Sequence, residues 1–334
     1  MEFIIPAEYY RICYPCKMNM GYMGVMYLGQ KILAVVNPVS ANGTTGKEWT
    51  NYEKKIKESG IDLDVEFTQY PLHAIEITRY ALKSGYDTIV SVGGDGTMNE
   101  VLNGFFENGC IINDNSNLAI FSRGTGCDLV RTLGIGKEIE DIIRVLLDKK
   151  CIRCDVGKVN FIEYGGNNRL RYFLNVSDVG IGAETTYRVN RNSKALKGFL
   201  SFLLGALTAI IAYKNKKLRI IIDDNIIIEN KINSVIIGNG RYFGGGMHTV
   251  PTAIIDDGLF DILVLDNLNK AELIMNFPKI YKGTHLTHPK VKNYRGKNIK
   301  IYSNEKVLIE LDGEQPGIID AQFDIIHKGI NVLV

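Results

Sequence analysis

The loop at residues 93–97 (GGDGT) combines three glycines with one carboxylate, a pattern that suits binding of a nucleotide phosphate. An apolar, β-branched segment at 87–92 precedes it, and apolar residues at helical spacing follow from Met98. The loop is therefore expected at the carboxyl end of a strand, where open α/β sheets bind ligands. Its glycines let the backbone approach a phosphate closely, and the following helix N-terminus attracts negative charge. Asp95 would repel a phosphate directly, so we expect it to hold Mg²⁺ against the phosphate oxygens.

Two more loops of this kind occur at the ends of predicted strands. Residues 122–128 (SRGTGCD) follow a short apolar strand and lead into a helical pattern, and residues 37–46 are polar and rich in turn formers. Because the ends of neighbouring parallel strands meet at one sheet edge, Asp95 and Asp128 could converge on one metal and phosphate cluster. The alternative is three ordinary strand-to-helix connections with no shared site.

The chain changes character near residue 150. Up to that point predicted strands alternate with helices, which predicts a parallel sheet with helices on both faces. Beyond it strands dominate, which predicts an antiparallel sandwich. The predicted fold class is α/β plus all-β in two domains: a doubly wound domain at 29–150 and a β-sandwich at 151–320.

The charge balance is close to neutral. Lys and Arg number 39 against 37 Asp and Glu, a formal net charge of +2, which provides no electrostatic footprint for nucleic acid. Six cysteines without a secretory signal indicate a reducing cytoplasm. We therefore expect a cytoplasmic protein that binds no nucleic acid, whereas the sequence is silent on whether it forms a homodimer.

Five segments, in order along the chain, resemble the diacylglycerol kinase catalytic-domain family, in particular its bacterial soluble lipid kinases: VNPVSANG, SVGGDGTMNEVLNGF, SRGTGCDLVRTLGI, PTAIIDDGLFDILVL and ELDGEQ. GGDGT alone also occurs in NAD kinases, but its combination with a later GTGxD and a late DGE is specific. The resemblance implies an ATP-dependent kinase that acts on a lipid hydroxyl, with an NAD kinase- and phosphofructokinase-like nucleotide-binding domain. It further implies that residues 321–334 return to the first domain, and that ATP and lipid meet in the cleft between the domains.

The resemblance also implies roles for individual residues. The positions that match the family's nucleotide loop and its neighbouring strands, and so would contact ATP, are Asn37, Ser40, Thr68, Gly93, Gly94, Asp95, Gly96 and Thr97. The second loop would contribute Thr125 to the nucleotide site, and Asp128 would help to organise metal and water beside the phosphates. A separate structural Mg²⁺ would bind Asp257 and the main-chain carbonyl of Leu259.

Asp312 matches the residue that acts as general base in the family, and Glu314 follows it at the nucleotide site. The chemistry needs such a group independently, since an attacking alcohol requires an acceptor for its proton. A strand pattern at 306–311 places Asp312 on a turn, and without the resemblance Asp-Gly would be interpreted as a turn dipeptide. Asp312→Asn is expected to cut turnover while sparing ATP binding and folding.

The chain departs from the family pattern at two positions and at its start. Ser122 stands where members usually have proline, and Cys127 stands where they usually have asparagine. Residues 1–28 lie outside the resemblance and lack the basic and apolar regions of a signal peptide, so we expect an extension. A true start at Met26 is a hypothesis.

An uncharged run at residues 198–213 is shorter than the ~20 residues that a membrane-spanning helix requires. We expect a helix packed on the sandwich near the lipid entrance. The basic residues that follow it, Lys214, Lys216, Lys217 and Arg219, favour anionic lipid headgroups. With a membrane lipid alcohol as substrate, the protein is expected to associate peripherally with the membrane.

Two other functions are compatible with parts of the pattern. An NAD kinase-like small-molecule kinase would share the GGDGT loop, although the later GTGxD and DGE elements favour a lipid enzyme. A non-catalytic lipid-binding or regulatory protein would not need intact Asp95, Asp128 and Asp312. Phosphorylation of NAD in place of any lipid would favour the first alternative, and absence of ATP consumption would favour the second.

Overall fold

The computed structural model describes residues 31–124, 126–192 and 199–334. Strands and helices alternate in its N-terminal half. In chain order they are β1 (Ile32–Val36), α1 (Thr44–Glu58), β2 (Asp64–Phe67), α2 (His73–Lys83), β3 (Thr88–Gly93), α3 (Asp95–Gly104), β4 (Phe106–Glu107), β5 (Cys110–Ile111), β6 (Asn117–Ser122), α4 (Asp128–Leu133) and α5 (Ile139–Asp148). Strands β1 and β3 are buried along their whole length, which is typical of central strands in a parallel sheet.

The sheet of the N-terminal half is parallel. β1 pairs with β2 and β3, and β3 pairs with β6. Gly93 at the end of β3 lies opposite Ser122 at the end of β6, so the loops that follow these strands begin side by side. Helix α2 packs with α3, and α1 packs with α5. The predicted α/β architecture of this half is confirmed.

The C-terminal half consists mainly of antiparallel strands. Its elements are β7 (Cys151–Glu163), β8 (Asn168–Phe173), β9 (Val176–Gly180), α6 (Ile181–Asn192), α7 (Phe199–Ala212), β10 (Lys216–Ile222), β11 (Ile226–Gly238), β12 (Phe260–Asp266), α8 (Lys270–Tyr281), β13 (Val291–Gly296), β14 (Asn298–Tyr302), β15 (Leu308–Leu311) and β16 (Glu314–Leu333). Alternate residues of these strands point inward and form one apolar core that includes Phe173, Ile237, Phe260 and Phe323. The predicted all-β half is confirmed as well.

Strand β16 connects the two halves. Along most of its length it pairs antiparallel with β7, β14 and β15, and its end pairs parallel with β6 through Asn331 opposite Asn117 and Val332 opposite Leu118. Val332 is also buried in the core of the N-terminal half. Because β7 and β16 run through both halves of one continuous sheet, the domain boundaries near residues 150 and 320 stay a prediction.

Helix α7 packs against α6 and α8 on the C-terminal half. Its Ile210 is buried, whereas the neighbouring Ile211 is 61% exposed. Among the described helices, none combines the length and apolar character needed to cross a membrane.

Candidate active site

Two glycine loops meet at the carboxyl edge of the parallel sheet. The amide of Arg123 donates a hydrogen bond to the carbonyl of Gly93 (2.6 Å), which ties the second loop to the end of β3. A Cβ at Gly124 would lie 2.7 Å from the Cα of Gly94, closer than packed atoms approach. Glycine therefore lets the two loops touch beside the N-terminus of α3.

Asp95 is the first residue of α3 and lies between the two loops. Its Oδ2 accepts a hydrogen bond from the amide of Cys127 (3.1 Å), and a Cβ at Gly126 would lie 2.6 Å from that oxygen. Burial raises the pKa of Asp95 to about 7, and the charges of Asp128 and Asp312 add to the shift. An ionised carboxylate offers about four acceptor positions, so Asp95 retains capacity to bind a proton or a cation.

Asp128 begins α4 and is 5% exposed. Both of its oxygens accept backbone hydrogen bonds from the C-terminal half, from Gly245 (2.8 Å) and Gly246 (2.7 Å). These glycines have φ angles of 81° and 97°, which side chains rarely permit. Burial raises the pKa of Asp128, while the two N–H donors oppose that shift. Asp128 thus joins the second glycine loop to the loop at 244–246.

Asp312 lies on the turn between β15 and β16 and is 4% exposed. Four N–H groups donate to its carboxylate: Asn99 Nδ2 (3.0 Å) and the amides of Leu174 (2.9 Å), Asn175 (3.0 Å) and Val176 (3.2 Å). Burial raises the pKa of Asp312, and these donors oppose the shift. Its four acceptor positions are all in use, so Asp312 must release an N–H group before it can take a proton.

Sequence reasoning missed two asparagines of α3, of which Asn99 donates to Asp312. Asn99 and Asn103 face β8 from one side of α3, and both donate to the carbonyl of Tyr172 (2.9 Å each). Their spacing of four residues within the NEVLNG segment was the available signal, because it places both on one helix face. Sequence reasoning also missed Arg171 of β8, a cation that interacts with the charges of Glu314, Glu100 and Asp312.

The remaining predicted nucleotide residues lie around the first loop. Asn37 Nδ2 donates to the hydroxyl of Thr97 (2.9 Å), and the Ser40 hydroxyl donates to the carbonyl of Asn37 (2.8 Å). Thr68 follows β2, and its amide donates to the carbonyl of Val36 (2.9 Å). A Cβ at Gly93 would collide with Thr97, and one at Gly96 would collide with the carboxylate of Glu314. Thr125 lies outside the described residues.

The backbone conformation of Cys127 explains why members of the family usually have asparagine at this position. Its φ is 53°, in the left-handed region that asparagine tolerates better than most residues. In this chain the thiol donates to the carbonyl of Gly124 (2.9 Å), and the amide binds Asp95. The departure therefore keeps the contact to the carboxylate.

An apolar cavity of about 120 Å³ lies behind the loop at 244–246. Phe243 and Met247, which flank the three glycines and pair through a backbone hydrogen bond (3.0 Å), both line it. Its walls come from β9, β11, α6, α7 and α8, and include Ala206, Ile210, Leu273 and Phe277. One buried acid, Asp178, also lines the cavity.

Two family models match the chain. Residues 31–159 match the diacylglycerol kinase catalytic domain, and residues 175–334 match the YegS C-terminal NAD kinase beta sandwich-like domain. The chain thus carries a diacylglycerol kinase catalytic domain followed by a YegS-type C-terminal domain. The resemblance inferred from the sequence is thereby confirmed, together with the fold class and the assignment as a lipid kinase.

Known proteins similar to this lipid kinase include two bacterial enzymes. A diacylglycerol kinase of Staphylococcus haemolyticus is 28% identical over 298 residues, covering 89% of this chain and 86% of the relative. A diacylglycerol kinase of Bacillus subtilis is 25% identical over 303 residues, covering 90% and 95%.

Solved structures share the fold of this lipid kinase. The crystal structure of a diacylglycerol kinase from Bacillus anthracis str. Sterne matches with a TM-score of 0.66 at 22% identity, covering 91% of this chain and 96% of that one. Yeast NADH kinase complexed with NADH matches with a TM-score of 0.50 at 15% identity, covering 91% and 83%.

The predicted structural Mg²⁺ position does not fit the side chains present. Asp257 accepts hydrogen bonds from the amide of Leu259 (3.1 Å) and from the guanidinium of Arg295, which also binds Asp261 (3.2 Å). A guanidinium thus supplies the positive charge at this position. In the described part of the chain, no three His, Cys, Asp or Glu side chains are grouped to hold a metal ion.

The nucleotide edge of this lipid kinase fits Mg²⁺ in a different way. Mg²⁺ commonly binds one or two carboxylates and takes its other ligands from phosphates and water. Asp95 has acceptor positions to spare, whereas both oxygens of Asp128 bind glycine amides. Asp95 would therefore be the protein's main ligand to a Mg²⁺ ion that arrives with a nucleotide.

Proposed function

We propose that this lipid kinase transfers the γ-phosphate of ATP to the hydroxyl of diacylglycerol or a related lipid alcohol, with Mg²⁺, in the cleft between its two halves. The observation that carries the proposal is the position of the loop at 244–246. Its amides bind Asp128 at the nucleotide edge, while Phe243 and Met247 beside it line the apolar cavity. A polar phosphoryl donor and an apolar acceptor can thus approach one point from opposite sides of one loop.

The nucleotide side supports the proposal through its backbone. Gly94 and Gly124 touch, so the glycine backbone of both loops lies next to the N-terminus of α3, and a helix N-terminus attracts phosphate. Burial, followed by the charges of Asp128 and Asp312, raises the pKa of Asp95, so a cation bound between Asp95 and the phosphates would stabilise the ionised carboxylate. When bound, Mg²⁺ would neutralise the charge of the phosphate oxygens.

Two acids can accept the proton of the lipid hydroxyl. Asp312 is the candidate from the family resemblance, but it would have to give up one of its four N–H donors. Asp95 has free acceptor positions and, without a metal ion, a pKa of about 7, so it suits a general base near neutral pH only where Mg²⁺ leaves one of its oxygens open. The acid that does not act as the base would hold the residues around the cleft in position.

The face beside the cavity supports access from a membrane. Ile211, Ile274 and Met275 of α7 and α8 expose apolar side chains, and Met275 is 68% exposed. A polar groove next to them is lined by five lysines: Lys214, Lys216, Lys217, Lys231 and Lys270. Apolar side chains with lysines around them suit an anionic bilayer, and we propose that this face contacts the membrane peripherally.

The direct test is phosphoryl transfer from labelled ATP in mixed micelles with Mg²⁺, using a panel of lipid alcohols with NAD as the competing substrate. Transfer to a lipid is expected. Ala206→Phe would fill the cavity, so KM for the lipid should rise severalfold while ATP binding stays unchanged. Thr208→Phe on the exposed side of the same helix is the matched control. Transfer to NAD alone, or no effect of Ala206→Phe on lipid KM, would contradict the proposal.

A further inference from the structure

Glu310 is a fully buried acid on β15, two residues before Asp312. Its Oε1 accepts a hydrogen bond from the amide of Gly313. Its Oε2 is buried and has no hydrogen-bond partner among the described residues. An ionised oxygen in that position is very unfavourable, whereas a neutral acid needs only an acceptor for its own proton.

A second buried acid lies directly opposite. Asp178 of β9 is the antiparallel register partner of Glu310, and neither residue has any exposed surface. Side chains of such partners stand on the same face of the sheet, with Cβ atoms roughly 4.5–5.5 Å apart. Asp178 accepts hydrogen bonds from the hydroxyl of Ser234 and the amide of Ala183 (2.9 Å). These two donors stabilise a negative charge on Asp178 better than the single Gly313 amide stabilises one on Glu310.

The charged groups around Glu310 favour its protonation. The acids that act on it, in order of effect, are Asp178, Asp312 and Glu314. Helix α6 packs on β15, but its Glu184 and Arg188 pair with each other (2.7 Å). In the described ranges, no cation forms an ion pair with Glu310. Burial first, and these acids second, raise the pKa of Glu310 well above its usual value, because adjacent carboxylates cannot all ionise.

We propose that Glu310 is a positioning residue that acts as a neutral carboxylic acid and holds the turn that carries Asp312 and Glu314. Asp312 and Gly313 have φ angles of 48° and 91°, the geometry that Asp-Gly favours in a two-residue hairpin turn, so the surrounding side chains decide where the turn lies rather than whether it forms. Oε1 of Glu310 binds the Gly313 amide and so ties the turn to β15. A protonated Oε2 gains a hydroxyl to donate, and the register places the carboxylate of Asp178 opposite it as the acceptor. Because Asp178 lines the cavity, the pair connects the cavity wall to the turn.

The activity test rests on the proposed kinase function. Ionised Glu310 would repel Asp178 and release the turn, so kcat of the full-length protein should fall as pH rises through the raised pKa. Glu310→Gln has the shape of the neutral acid, so it should keep kcat near that of the wild type and lose the alkaline fall. Glu310→Ala removes the support and should lower kcat about tenfold to a hundredfold, with KM for ATP little changed.

Glu229→Gln, an exposed substitution on β11, is the matched control and should keep the alkaline fall. A Glu310→Gln protein as slow as Glu310→Ala, or one that retains the alkaline fall, overturns the proposal.

Infrared spectroscopy tests the charge without any turnover. The wild type should show the band of a protonated glutamic acid near neutral pH, and that band should be missing in Glu310→Gln. If Glu310→Gln does not fold, wild-type protein labelled with ¹³C-glutamate decides, and absence of the band overturns the proposal. A failed lipid kinase assay alongside a present band would count against the proposed function alone.

Discussion

Asp312 is buried and Asp95 is partly buried at the candidate site, and their hydrogen bonds differ. Asp95 receives a hydrogen bond from the Cys127 amide at one oxygen, whereas Asp312 receives four N–H groups that use both oxygens. The first arrangement leaves room for a proton or a metal ion. The second connects α3, the segment at 174–176 and the turn before β16.

The pH dependence of catalysis should follow the ionisation of the Asp95 carboxyl group. Its pKa is raised to about 7, so the carboxyl stays protonated to higher pH than usual and is ionised only above about 7. If ionised Asp95 is required, kcat/KM falls as pH drops below that value and levels off above it. Asp95→Asn should lower the plateau of kcat/KM above pH 7 by about 10²–10⁴ and abolish its fall at lower pH, while the protein stays folded. A profile that is flat across this range would argue against a role for Asp95 as base.

Asp312→Asn should destabilise the protein as well as slow it. An asparagine oxygen can accept about two of the four N–H groups, and its own NH₂ would face the others. We expect a loss of roughly 2–5 kcal/mol in the free energy of unfolding, measured by urea denaturation. The sequence alone suggested that Asp312→Asn would spare folding, whereas the hydrogen bonds of Asp312 lead us to expect a less stable protein. Asp62→Asn, at an exposed position, is the control, and equal stability of the two variants would contradict the hydrogen-bond argument.

In the strand pair β12 and β13, an arginine side chain supplies the positive charge that a metal ion would otherwise bring to the acids beside it. Arg295 of β13 is the register partner of Asp261 of β12 and also reaches Asp257 in the loop before it. Asp261 has no exposed surface, so its charge needs this partner. The loop at 256–259 is thereby fastened to the sandwich edge.

Removal of divalent metal should leave the nucleotide-free protein equally stable. With Arg295 at the predicted Mg²⁺ position, the unfolding midpoints in EDTA and in Mg²⁺ should agree within about 1 °C, whereas a bound ion would raise the midpoint by several degrees. Arg295→Gln should lower the free energy of unfolding by about 1–3 kcal/mol, since the guanidinium is partly exposed. Arg144→Gln, which breaks an exposed pair with Asp141, should cost less than about 0.5 kcal/mol. A clear rise of the midpoint with Mg²⁺ would contradict this account.

On the scale of the whole molecule, β16 makes the two halves dependent on each other. It completes the sandwich along most of its length and then adds a parallel strand beside β6 in the other half. Hydrogen-bond contacts to the candidate site cross between the halves in the same way, from Gly245 and Gly246 to Asp128. Neither half has a complete sheet or a complete site without the other.

The protein should therefore unfold in one cooperative transition. Trp49 is the single tryptophan and is buried in the core of the N-terminal half, so its fluorescence reports on that half. Far-ultraviolet circular dichroism reports on both halves. The two signals should give coincident urea transitions. Two separate midpoints would show that β16 does not couple the halves.

Periodicity and glycine placement in the sequence determined the local elements and the family. The apolar segment before residues 93–97, the helical spacing after them and the repeat of this pattern at 122–128 were enough to predict a parallel sheet and its ligand edge. These signals are local, because the periodicity of a strand or a helix depends on residues that are close together in the sequence. The order of the motifs then identified a lipid kinase, which the family models confirm.

Only the tertiary structure decided which groups bind each acid. Gly246, Asn99 and Arg295, which bind Asp128, Asp312 and Asp257 respectively, lie tens to more than two hundred residues away in the chain, and no local period encodes such pairs. The same holds for Glu310, whose burial and register partner follow from how β9 and β15 align. Sequence alone supplies the side chains, but hydrogen bonds and desolvation act over a few ångströms, so folding decides which acids are free, paired or neutral.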